Sequence, residues 1–205
     1  MANLDLNNVD GMYFDVLREI GNIGAGNAAT SLAQLLNTKV DISVPKIDLL
    51  EFSRVGEAMG GEELLVAGIY LRIEGDLNGS IMFLMAEKSA HDLVSRLMGG
   101  MPPENEDSFS EMEMSALKEI GNIITGAYLN SLSTLTNMKI IPSIPDLCVD
   151  MAGALLSVPA IEFGEMGDKM LMIETTITDF STIDGYFVLV PDLPSYGKML
   201  SALGM

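Results

Sequence analysis

The sequence has no tryptophan, one cysteine, one histidine and few positive charges, and each scarcity removes a class of function. Cys148, the single cysteine, excludes an internal disulfide and fits a reducing compartment. His91, the single histidine, excludes a multi-histidine metal centre. Eleven Lys and Arg stand against 29 Asp and Glu, for a net charge of −18. Nucleic acid and anionic membrane surfaces both require clustered positive charge, so neither is an expected partner. No apolar run approaches the ~20 residues of a membrane span, so no membrane insertion is expected. The opening MANLDLNNVDGM has neither the basic nor the apolar stretch of a secretory signal, and the expected location is the cytoplasm. What remains is ample: 48% of the 205 residues are hydrophobic, enough for one folded domain over residues 1–205.

The chain repeats itself. Setting residues 13–45 beside 113–145, at an offset of 100 without gaps, makes 14 of 33 positions identical, from Leu17/Leu117 to Pro45/Pro145. A weaker likeness returns at an offset of 106, where Gly79-Ser-Ile-Met-Phe-Leu answers Gly185-Tyr-Phe-Val-Leu-Val. Two homologous halves, 1–100 and 110–205, therefore share one element order, joined by a Pro-rich, charged linker over 101–109.

Each half reads as a long helix, a strand, an irregular segment, two strands and a short helix. The first helix is expected from Asp10, its N-cap, to Asn37. Its twin opens at Ser110-Glu-Met-Glu113, the spacing of a capping box, with Phe109 and Met114 placed as a hydrophobic staple. Residues 39–44 alternate as a half-buried strand that ends at Pro45. Residues 64–74 and 80–85, and again 170–178 and 186–190, read as strand pairs; 89–98 and 194–203 read as short helices. The fold class is α/β, a pseudo-twofold two-repeat sandwich with long helices packed on a mainly antiparallel β-sheet.

On a helical wheel Asp15, Glu19 and Asn22 lie within about 60° of one another, with Leu17, Ile20, Gly24, Ala28 and Leu35 opposite. The exposed stripe continues through Gly26, Ala29 and Ala33, side chains too small to hold a partner away. In the twin, Ser115, Glu119, Asn122 and Gly126 take the same places, followed by Leu129 and Ser133. One Glu–Asn pair is ordinary for a solvated helix face. Asn costs a helix interior roughly half a kcal/mol relative to Ala, however, and here it recurs three residues after a Glu and 23 before a Pro in both copies.

The pattern Asp15-x3-Glu19-x2-Asn22-x22-Pro45, with Ser115-x3-Glu119-x2-Asn122-x22-Pro145, resembles the signature of the CheC, CheX and FliY family of chemotaxis phosphatases, and its CheC type in particular. The resemblance spans nearly the whole chain and implies a CheC-like sandwich. It also implies an enzyme, a phosphatase that hydrolyses the aspartyl-phosphate of the phosphorylated response regulator CheY. Glu19, Asn22, Glu119 and Asn122 take the catalytic places. Asp15, Ser115, Pro45 and Pro145 shape the sites. No cofactor is bound by this chain; Mg²⁺ is expected in the response regulator.

The implied chemistry is physically sound. Phosphoryl transfer passes through a loose transition state, so the attacking water needs positioning more than deprotonation, and a carboxamide orients it much as a Gln does in small GTPases. Glu19 and Glu119 would dock each helix on the active-site lysine of the regulator.

Other chemistries lack their residues. No Arg follows Cys148 at the spacing of cysteine phosphatases, and no Asp-x-Asp occurs. Gly24-x-Gly26-x2-Ala29 mimics a dinucleotide fingerprint but follows no strand. His91 is expected on the surface of its helix. After Pro145, an apolar-faced helix is expected to start near Asp150. By the family resemblance, Val149, Asp150 and Met151 would form a surface for the receptor deamidase CheD; the alternative is a helix that only plugs the sandwich edge. Two alternatives to a two-site phosphatase stay open: a non-enzymatic adaptor that binds phosphorylated CheY or CheD, and a one-site enzyme in which Leu129 obstructs the second approach.

Overall fold

The computed structural model describes residues 11–102, 105, 108–163, 169–178 and 182–204. Asp10 and linker residues 103, 104, 106 and 107 lie outside the described residues. In chain order the elements are α1 (Gly11–Leu36), β1 (Asp41–Glu51), α2 (Phe52–Ala58), β2 (Leu65–Gly75), β3 (Gly79–Ala86) and α3 (Glu87–Leu97). The second half follows with α4 (Glu111–Thr136), β4 (Ile140–Pro142), β5 (Asp146–Met151), α5 (Ala152–Phe163), β6 (Lys169–Thr178), β7 (Thr182–Pro191) and α6 (Leu193–Ala202).

The seven strands form one sheet in which every neighbouring pair is antiparallel, ordered β1-β6-β7-β3-β2, with β4 and β5 both on the free edge of β2. The halves exchange strands: β1 of the first pairs with β6 of the second, and β4 and β5 of the second pair with β2 of the first. Register corrects the offset read from sequence. Lys46 pairs with Glu174 and its repeat mate Asp146 pairs with Tyr70, so Tyr70 and Glu174 are equivalent at an offset of 104, not 106. Phe83 and Phe187 have the same offset and face each other across β3 and β7.

One face of the sheet buries the long helices, through Leu17, Ile20, Leu32, Leu117, Ile120 and Leu132 against Ile69, Leu71, Phe83 and Phe187. Ala90, Leu93 and Val94 of α3 and Tyr196 and Met199 of α6 close the same layer. The opposite face is covered by α2 and α5, with Val55, Leu155 and Leu156 on Met82, Leu84, Met170 and Val188. Leu35, expected inward, is 38% exposed in the last turn of α1.

Both long helices end in an asparagine in the left-handed region, Asn37 at φ 51° and Asn137 at φ 52°, which satisfies the chain reversal into the next strand. The capping box of α4 forms, with the Glu113 amide donating to Ser110 Oγ and the Ser110 amide donating to Glu113 Oε2 at 2.8 Å. Of the two residues expected as the staple, Phe109 stacks on His91 and Met114 is 37% exposed.

Two strand readings are corrected. β1 does not stop at Pro45 but runs through it to Glu51, and the register slips between Ser43 and Lys46. A bulge on an edge strand is where a residue without an N–H is tolerated. In the second half the same place splits the strand, leaving Ser143-Ile144-Pro145 between β4 and β5. Asp146–Met151 is therefore a strand, and the helix begins at Ala152 rather than near Asp150.

Candidate functional site

The motif residues lie on the solvent side of the paired helices. Asp15, Glu19 and Asn22 are exposed on α1, as are Ser115, Glu119 and Asn122 on α4. The side chains of Glu19, Asn22, Glu119 and Asn122 make no hydrogen bond or ion pair with any described residue, which leaves each carboxylate and carboxamide available to an external group. Asp15 is ion-paired with Arg18 one turn on. Pro45 is exposed at the β1 bulge, and Pro145 is half-buried between β4 and β5.

The platform under these side chains is rigid for identifiable reasons. The helices cross where Gly24 meets Tyr128: a Cβ at Gly24 would lie 3.0 Å from the Tyr128 Cα and 3.2 Å from its Cγ. Tyr128 descends into the core, its ring 4.2 Å from that of Phe187 and its hydroxyl 3.2 Å from Thr175 Oγ1. Burial pushes its phenol up to about 12. Asn27 Nδ2 donates to Ser131 Oγ at 3.5 Å across the same seam. Next to Asn22, Gly21 lets α1 sit on β1, where its Cβ would be 3.4 Å from both γ-carbons of Val44. Next to Asn122, Gly121 lets α4 sit on β2, where a Cβ would meet Ile69 Cγ1 at 2.7 Å.

Asp150 and Met151 are exposed at the end of β5, and the Met151 amide donates to Asp150 Oδ1 at 2.7 Å. Met151 pairs across the ladder with Leu65, and both are nearly half exposed at 46% and 48%. Leu65 escapes sequence reasoning because only the β2–β5 pairing brings it there. Behind this edge α5 is clamped to the sheet: Tyr70 donates to Glu162 Oε2 at 2.5 Å, and Arg72 donates to Glu162 Oε1 at 2.6 Å.

His91 is not a surface residue. It is buried, its ring stacked 3.8 Å from Phe109, and neither nitrogen has a hydrogen-bond partner among the described residues. The chain entering α4 folds back over α3 and covers it. Among the described residues no three His, Cys, Asp or Glu side chains gather in a way that would hold a metal ion. No helix among them is long and apolar enough to cross a membrane.

The model of the CheC-like family matches residues 12–48 and 112–148, two segments again 100 apart. The CheY-P phosphatase CheC of Bacillus subtilis is 39% identical over 202 residues, covering 97% of each chain. This chain belongs to the CheC-like family. The two matched CheC-like segments are the helix–strand units that carry Asp15, Glu19, Asn22 and Pro45 and their second-half mates. Solved structures extend the CheC-like likeness to the fold. FliY of Thermotoga maritima superposes with a TM-score of 0.77 at 22% identity, covering 96% of this chain and 98% of that one. CheX of Borrelia burgdorferi, solved in complex with CheY, BeF3 and Mg, gives a TM-score of 0.52 at 16% identity over 82% of this chain and 96% of that one.

Proposed function

We propose that this chain is a phosphatase of phosphorylated CheY. The observation that carries the reading is the Glu–Asn pair displayed twice, three residues apart, on rigid helices, with all four side chains free of partners among the described residues. The name of the B. subtilis relative, a CheY-P phosphatase with 39% identity, supports it.

Hydrolysis of an aspartyl-phosphate breaks the bond between phosphorus and the carboxylate oxygen and forms one between phosphorus and a water oxygen. In a loose transition state the gain comes from holding that water in line. The Asn22 or Asn122 carboxamide accepts from the water through its oxygen and offers N–H groups to a phosphoryl oxygen. The Glu19 or Glu119 carboxylate pairs with the lysine of the regulator's active site, which fixes how deeply the helix enters. The magnesium ion belongs to the regulator.

Loss of acyl-phosphate from phosphorylated CheY in magnesium tests this with wild type, Asn22→Ala, Asn122→Ala and the double variant. Wild type accelerates the loss, and the double variant forfeits on the order of 10²-fold through lost water positioning. A fully active double variant would refute the mechanism. No acceleration by wild type, with or without CheD, would leave an adaptor.

The proposal extends to CheD. Asp150, Met151 and Leu65 present a carboxylate beside paired apolar side chains on a sheet edge, a surface fitted to a protein partner. Asp150→Lys abolishes CheD binding with the fold intact; unchanged binding would remove CheD from this edge.

A further inference from the structure

A Glu and an Asn are too small to hold another protein. A stable interface covers roughly 800 Å² per partner, so the ground around each pair decides whether a regulator can dock there. That ground differs between the halves. Beyond Asn22, the exposed side of α1 runs directly into a groove of about 690 Å³ between this helix and the start of β1, lined by Gly26, Ala29, Thr30, Ala33, Lys39 and Ile42.

The second half does not repeat this lining: Leu129 is a larger, buried mate, while Asn130, Lys139 and Pro142, the mates of Thr30, Lys39 and Ile42, are exposed. Ala29 is half-buried, whereas Leu129 is 3% exposed, its larger side chain packed into the core. Thr38 is answered by Met138, also buried, and Ala33 by Ser133, whose hydroxyl donates to the Met138 carbonyl at 2.7 Å and ties the helix to the segment leading into β4. Another pair of mates differs in the opposite sense. Val44 is buried under Gly21, but its mate Ile144 stands 84% exposed beside Pro145. The first half thus offers a groove lined by small side chains, and the second differs from it by a buried Leu129 and an exposed Ile144.

Resting on the phosphatase reading, we propose that phosphorylated CheY docks at the first-half site, in the groove continuous with Asn22, and that Leu129 closes the second-half site to the same approach. One partner surface cannot fit both reliefs. The Glu19–Asn22 pair then carries most of the turnover, and the residue at position 29 or 129 sets which half is used.

Gly26 and Gly126 allow a test that leaves the core alone, because a Cβ at either meets nothing within 4 Å. Gly26→Leu fills the groove and raises KM for phosphorylated CheY about tenfold or more with kcat little changed, while Gly126→Leu changes KM less than twofold. In parallel, Asn22→Ala costs a clearly larger share of the wild-type rate than Asn122→Ala does. Equal effects of the two leucines, a larger effect at Gly126, or equal losses from the two alanines would overturn the proposal. Failure of the phosphatase reading looks different: wild type itself is inactive, or the double asparagine variant keeps its rate.

Discussion

Phe83 and Phe187 stand directly opposite each other on neighbouring antiparallel strands, ring centroids 4.7 Å apart and planes tilted by 34°, both fully buried. They are repeat mates, so the pseudo-twofold axis passes between them, and each half contributes one ring to the centre of the other's core.

Truncating either ring opens a cavity in that shared centre. Phe83→Ala and Phe187→Ala each lower stability by about 3–5 kcal/mol. Their effects are not additive, since each removes the other's neighbour. Urea unfolding of both single variants and the double measures this; additive losses would place the two rings in independent cores.

Two glycines of α4 five residues apart respond oppositely to alanine. Gly121→Ala drives a methyl to within 2.7 Å of Ile69, a fully buried side chain, and overpacking outweighs the gain in helix propensity by about 1–2 kcal/mol. Gly126→Ala meets no atom within 4 Å and stabilises by up to ~1 kcal/mol. Thermal melts of the two variants should move in opposite directions.

Tyr128 gives the protein an alkaline weakness. Its phenol ionises at about 12 in the folded state, against an ordinary value of 10. Below pH 10 both states keep the proton and the contribution to stability is whole. As pH rises from 10 to 12 the unfolded chain releases the proton while the folded one holds it, and roughly 2–3 kcal/mol is lost. Tyr128→Phe removes that slope, at a cost of about 1 kcal/mol near neutrality because the buried Thr175 hydroxyl loses its partner. Unfolding free energies at pH 8 and pH 11 for both proteins check the difference.

Local order was the legible part of the fold. The 100-residue repeat implies a pseudo-twofold, the helix wheel separates Leu17 and Ile20 from Glu19 and Asn22, and the turn at 75–79 marks a hairpin. What short-range pattern does not carry is pairing at long range. Nothing near residues 41–51 announces that they will join β6, over a hundred residues away, and the 106 offset misleads because insertions outside the strands shift the short helices relative to the hairpins. The helix expected near Asp150 starts two residues later, because the open edge of β2 takes Asp146–Met151 into the sheet. His91 reads as surface because its cover, Phe109, comes from the segment entering the next long helix.

The Glu–Asn pairs were legible for the opposite reason: their spacing is local and occurs twice. The shape of the ground around them was not, since Ala29 and Leu129 are each unremarkable in a helix. The difference between them becomes meaningful only when a strand from the same half lies alongside.

Strand exchange also has a consequence for synthesis. Among the described residues β1 pairs with a single strand, β6, and that ladder is complete only once Thr178 has been added. At ribosomal rates the interval is on the order of ten seconds, during which Val44 and Ile47 emerge with no sheet edge to join. A nascent chain in that state is a substrate for holding chaperones, and two such chains side by side can complete each other's sheets. The covalent link between the halves keeps the correct partner close, at high effective concentration, by the time it is made.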